Sequence, residues 1–233
     1  MKSFTTSIKQ AVAAVAIIGT TAFIAEAETH YRPHISIGGH AGMAMSQMSF
    51  SPSISQKWAS GYTMGIQARY AEEKIFGLIG ELNISQRGWE ETFDEHPELQ
   101  YSRRLTYISI PVMTHIYFGS NRFKGFVNLG PEFSYMLADD ISSNFDYHNP
   151  HEAGIPTSRH CEQMTMDISS RFDYGITAGL GAEYYLRPRH SIYLEARFYY
   201  GLGNIFPSSK ADTFSASRTM TLAVTAGYNF RLK

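Results

Sequence analysis

The chain has 233 residues, with 20 Lys and Arg against 21 Asp and Glu. Near-neutral charge excludes the basic surface of a nucleic-acid binder, and the single cysteine, Cys161, excludes a disulfide scaffold. Mean hydropathy is −0.23, a value compatible with a soluble protein and equally with a membrane barrel, in which half of every strand faces a polar lumen.

In chain order, Lys2 and Lys9 precede an apolar run from Ala11 to Ile24, and Ala25-Glu26-Ala27 reads as an A-x-A cleavage site. The expected organisation is a cleaved signal peptide over 1–27 and one barrel domain over 28–233. No cysteine follows the apolar run to serve as a lipoprotein acceptor.

Eight stretches then alternate apolar and polar residues, as period-two geometry requires of strands with two different faces. They fall at about His34–Met43, Gly61–Tyr70, Phe76–Ser85, Leu105–Phe118, Phe123–Leu137, Phe172–Leu186, Ile192–Gly201 and Met220–Arg231. The sixth is the clearest: Phe172, Tyr174, Ile176, Ala178, Leu180, Ala182 and Tyr184 alternate with Asp173, Gly175, Thr177, Gly179, Gly181 and Glu183. Aromatic residues at both ends of that apolar face resemble two interfacial girdles around a hydrocarbon band. The fourth contains Pro111, which cannot donate to a ladder, so a bulge is expected there.

Glycine decides which face is inside. Gly61, Gly65, Gly175, Gly179, Gly227 and others share the polar face with charged residues, where a crowded lumen needs missing side chains and a solvated face does not. Gly39 and Gly80 lie on the other face. Short connections at 71–74, 119–122 and 187–190 alternate with long ones at about 44–60, 86–104, 138–170 and 202–218. Together these features predict an all-β fold, an eight-stranded antiparallel up-and-down transmembrane β-barrel with three short periplasmic turns and four long extracellular loops.

Arg69, Glu81, Glu132, Asp173, Glu183, Glu195, Arg197 and Arg231 are predicted to point into the lumen. Eight strands leave room only for side chains, so a packed ion-pair network is expected, with a gated ion path as the alternative. Trp89, Phe93 and Tyr101 stand among acids in the second long loop as candidate partner anchors. Asp139, Asp140, His148, His151, Glu152, His160, Cys161 and Glu162 in the third have metal-ligating chemistry but no zinc spacing, so a solvated loop is expected. His40, Ser46, Ser102 and Ser170 could be placed near the outer rim, but no local motif joins them into a catalytic set. No cofactor is expected. The expected partners are outer-membrane lipids, the barrel-assembly machinery during insertion, and an envelope or extracellular protein or glycan.

Thr225-x-Gly227-x-x-Phe230-x-Leu232 resembles the last-strand signal read by barrel-assembly machinery, with Lys233 as a departure at the end. Tyr107-Ile108-Ser109-Ile110-Pro111-Val112, Tyr117-Phe118-Gly119, Asn128-Leu129-Gly130-Pro131, Gly179-Leu180-Gly181-Ala182-Glu183-Tyr184 and Leu194-Glu195-Ala196-Arg197-Phe198 resemble the PorT-like outer-membrane barrel proteins. That resemblance implies an eight-stranded outer-membrane barrel and a strand-four proline. It implies little about activity; a few such proteins are tied to secretion.

Overall fold

The computed structural model describes residues 33–71, 75–93, 95–157, 159–208 and 213–232. The N-terminal segment read as a signal peptide, the turn residues Glu72 to Lys74 and Lys233 lie outside the described residues. The strands are β1 (His34–Ser51), β2 (Gln56–Lys57), β3 (Ala59–Ala71), β4 (Phe76–Glu91), β5 (Tyr101–Gly119), β6 (Phe123–Ser143), β7 (Phe172–Arg187), β8 (His190–Gly201) and β9 (Ala216–Arg231). Apart from the two-residue β2, which pairs with the end of β4, each strand pairs antiparallel with its neighbours in sequence. β1 pairs with β9, from Ser36 opposite Arg231 to Ser51 opposite Ala216, and closes the ring. A closed ring leaves no edge strand, so every ladder is satisfied within the chain.

The two faces follow the alternation. Ile66, Leu129, Ile176, Leu180 and Leu194 are each at least half exposed on the outside, while Glu81, Glu132, Thr177 and Glu195 are buried inside. This arrangement inverts a soluble protein and suits a hydrocarbon surrounding. Aromatic residues flank the apolar band outside, Tyr135, Phe172 and Tyr174 toward the loops and Phe118, Phe123 and Tyr184 toward the turns.

Two expectations are corrected. The strands at the loop end are longer than the alternation suggests, so much of the first two long connections is paired backbone; among the described residues irregular chain lies mainly within 52–55, 92–100, 144–171 and 202–215. Beyond the membrane band the outside of the barrel is water, and the apolar-outside pattern that marks a strand there disappears while the hydrogen-bonded ladder continues. Pro111 causes no bulge: Gly80 opposes Val112, Asn83 opposes Ser109, and Pro111 opposes Glu132 without a change of register. Its fixed φ suits a strand, so the proline forgoes one ladder donor and keeps the geometry. The register shift lies at Thr106/Tyr107, where Leu137 is the extra residue of β6. That bulge turns Asp139 and Ile141 inward, toward Arg103 and the apolar cluster at the barrel mouth.

Turns at the other end are tight. Ser120 N donates to Phe123 O at 2.8 Å, and Gly119 has φ of +129°, a conformation that any side chain would strain.

Candidate functional site: a filled lumen beneath an apolar cap

Inward-facing positions on successive strands stack charged groups in layers. Nearest the turns, Arg69 Nη1 donates to Glu183 Oε2 at 2.8 Å, and Glu183 also accepts from Ser191 Oγ at 2.6 Å and from Asn229 Nδ2 at 3.2 Å. The Arg69 guanidinium lies 6.0 Å from the ring centroids of Phe126 and Tyr193. In the middle layer Arg197 grips Glu81 with two donors, at 2.6 and 2.9 Å, and reaches Glu195 at 2.8 Å. Asn83 donates to Glu81 at 2.8 Å, Asn128 donates to Glu195 at 2.9 Å, and His115 Nδ1 lies 2.7 Å from Asn128 Oδ1. Above it Arg87 bonds Glu132 and lies 4.2 Å from the Tyr199 ring, whose hydroxyl donates to Asp173 at 2.9 Å.

Seven of the eight residues predicted for the lumen meet in these layers. Arg231 stands apart at the turn end, its guanidinium 5.7 Å from the Tyr185 ring. Sequence reasoning missed Arg87, although continuing the inward series Glu81, Asn83, Ser85 by one step reaches it. His115 and Tyr199 were on the inward face of recognised strands and carried no separate signal. Burying so many charges is costly unless each is paired and hydrogen-bonded, and the double grip on Glu81 and the shared acceptors of Glu183 supply that pairing.

The loop end is closed differently. Met48, Phe50, Trp89, Tyr101, Leu105, Tyr107 and Met136 from the strands pack with Ile155, Met164, Ile205, Phe206 and Phe214 from the two longest loops. Trp89, Phe93 and Tyr101, read from sequence as partner anchors, are 0, 5 and 1% exposed within this cap. Sequence placed them in a loop, whereas Trp89 and Tyr101 lie on β4 and β5 with their side chains turned into the mouth. Polar contacts pin the loops to the strands: Arg103 of β5, itself held by Asp139 of β6 at 2.8 and 2.5 Å, donates to Met166 O at 2.8 Å, Gln163 donates to Glu91 at 2.9 Å, and Arg159 donates to Glu91 at 3.2 Å.

His148, His151, His160, Cys161, Glu152 and Glu162 line one cleft of about 510 Å³ on the third loop. Among the described residues no group of three or more His, Cys, Asp or Glu is arranged to hold a metal ion. Burial pushes the Cys161 thiol above its ordinary pKa, which disfavours the thiolate. His40 lies 4.0 Å from Glu81 in the lumen, Ser46 Oγ donates to Gly88 O, and Ser170 Oγ donates to Phe172 O. Ser102 opposes Ser142 on β6. These residues do not converge on one another.

A closed antiparallel barrel, apolar outside, ion-paired inside and capped at one end, defines an integral membrane β-barrel of small diameter. A family model described as outer membrane protein beta-barrel domain matches residues 28–207, and the chain belongs to that family and to the outer membrane. Among solved structures it is similar to the outer-membrane protein OprG of Pseudomonas aeruginosa, at 12% identity and a TM-score of 0.50 over 86% of this chain and 95% of that one. It is also similar to Neisserial surface protein A, at 15% identity and a TM-score of 0.45 over 86% and 99%. A third is the attachment invasion locus protein Ail of Yersinia pestis, at 15% identity and a TM-score of 0.41 over 84% and 99%. No curated protein matches the chain in sequence.

Proposed function

We propose that this protein is a non-enzymatic outer-membrane barrel of structural and interaction type, whose loops meet an envelope or extracellular protein or glycan while its filled lumen serves stability. The observation that carries the reading is the double closure of the lumen: three ion-paired layers lie beneath an apolar cap that draws on both long loops. A solute path would have to displace both. Planar-bilayer recording tests this directly. Baseline current from folded protein is the expected result, and discrete conductance steps would overturn the reading in favour of a narrow channel.

Within the family, the motifs from Tyr107 to Phe198 support a PorT-like member; a secretion role does not follow from them. The long strand ends and short turns support loops on the extracellular side and the three turns in the periplasm. Cleavage after Ala27 is part of the same proposal, supported by the A-x-A site and by a family match that starts at residue 28. N-terminal sequencing of membrane-recovered protein should begin near Glu28. A start at Met1 would refute the cleavage.

A further inference from the structure

Charge is distributed unevenly along the barrel axis. At the turn end, Arg122 and Lys124 lie at the β5–β6 turn, Arg187 and Arg189 at the β7–β8 turn, and Arg231 at the end of β9. Register makes these neighbours: Phe123 opposes Tyr184, Lys124 opposes Glu183, Arg187 opposes His190, and His190 opposes Phe230. Among the described residues the acid at this end is Glu183, which is buried and held by Arg69. Glu72 and Glu73, in the β3–β4 connection, lie outside the described residues.

Arg122, Arg187 and Arg189 are exposed and make no ion pair among the described residues. Each stands within three residues of an outward apolar side chain, Arg122 beside Phe123, and Arg187 and Arg189 just past Leu186. A guanidinium just beyond the edge of the apolar band stands at the level of lipid headgroups. At the loop end acids predominate, with Glu90 and Asp140 in the last residues of β4 and β6 and Glu98, Asp146, Glu152 and Asp167 in the loops.

We propose that this arginine rim is a binding surface for the phosphates of anionic phospholipids in the leaflet that surrounds the turns. The reading rests on the membrane barrel described above. Charge complementarity selects the occupant: a run of unpaired cations at headgroup depth attracts phosphodiesters, and arginine offers forked donors that match phosphate oxygens. Each cation near an anionic surface contributes about a fivefold preference, lost as salt screens it.

The test uses full-length folded protein in nanodiscs of phosphatidylcholine, alone or mixed with phosphatidylglycerol, with retained lipid read by native mass spectrometry. Wild-type protein should retain phosphatidylglycerol above its bulk fraction, and R122Q/R187Q/R189Q should lose about fivefold per guanidinium removed. A loop-end control, R104Q/R171Q, should keep the wild-type preference. Equal retention by wild type and the triple variant, or equal loss in the control, would overturn the proposal. The first of these would leave an acidic periplasmic polypeptide as the occupant to pursue. The three single variants give the same readout should the triple misassemble. A heat-modifiable band in phosphatidylcholine alone reports the barrel itself, so its absence would count against the membrane reading and not against lipid preference.

Discussion

Gly227 shows how one missing side chain sets the interior. A Cβ there would fall within the Tyr193 ring, which itself packs near Phe126 and Arg69. The residue also lies within the last-strand motif Thr225–Leu232, so two explanations compete for it. Gly227→Ala should lower the yield of heat-modifiable barrel, and pairing it with Tyr193→Ser should restore yield if the constraint is space. Failure of the double variant to recover would assign the glycine to recognition by the assembly machinery. Arg197 poses the opposite problem, a cation that two buried carboxylates share. Arg197→Met leaves Glu81 and Glu195 without their cation and should cost about 3–5 kcal/mol of unfolding free energy, measured by urea titration in detergent. Glu195→Gln should cost less, because Arg197 keeps both oxygens of Glu81 and an amide oxygen in the Oε1 position still accepts from Asn128 and from Arg197 Nε. Most of these partners were legible from strand parity. Which acid each arginine chooses was not, since pairs such as Arg197 with Glu81 are 116 residues apart in sequence and are set by barrel closure.

At the scale of a strand, the outward apolar pattern holds only within the membrane. β1 illustrates the change. Ile35, Ile37 and Met43 face outward opposite Ser36 and His40, but nearer the loop end Met48 and Phe50 turn inward opposite the polar Gln47 and Ser49. The medium has reversed: outside is now water, and inside is the dry cap. A reading that seeks apolar-out alternation therefore stops β1 at Met43, eight residues early, and places Trp89 and Tyr101 in loops. The bulge at Leu137 has the same origin, since the inward register must move by one residue to send Ile141 into the cap and Asp139 to Arg103. If the cap is a unit packed on the barrel, it should loosen separately from it. Phe206 stacks near Phe214 and Phe50 and meets Trp89 edge-on. Phe206→Ala should cost about 3 kcal/mol locally, raise the rate of limited proteolysis in the 202–215 and 144–171 loops, and leave the heat-modifiable band in place. Loss of that band would show that cap and barrel fold as one.

Among the eight barrel strands, with the two-residue β2 set aside, every described strand pair but one joins strands consecutive in the chain, and the exception is the β1–β9 seam. Closure therefore waits on β9, and the start of β1 lies beside the end of β9, with Ser36 opposite Arg231. A permuted chain follows from this: join the end of β9 to the start of β1 through a Gly/Ser linker and reopen the chain in the turn at Ser120–Arg122. All eight ladders survive, and the ion-paired layers are unchanged, because neither depends on which hairpin is covalently continuous. Refolding into detergent should give a heat-modifiable barrel with urea resistance close to that of the parent. In cells the same permutant, with residues 1–27 kept in front of it, separates the architecture from its delivery. Its final strand is now β5, ending at Tyr117-Phe118-Gly119, and Thr225–Leu232 is internal. If that motif is the assembly signal, the permutant should refold in vitro yet fail to reach the outer membrane. Normal insertion in cells would show that any amphipathic closing strand suffices, and that Thr225, Gly227, Phe230 and Leu232 are retained for packing and lipid contact alone.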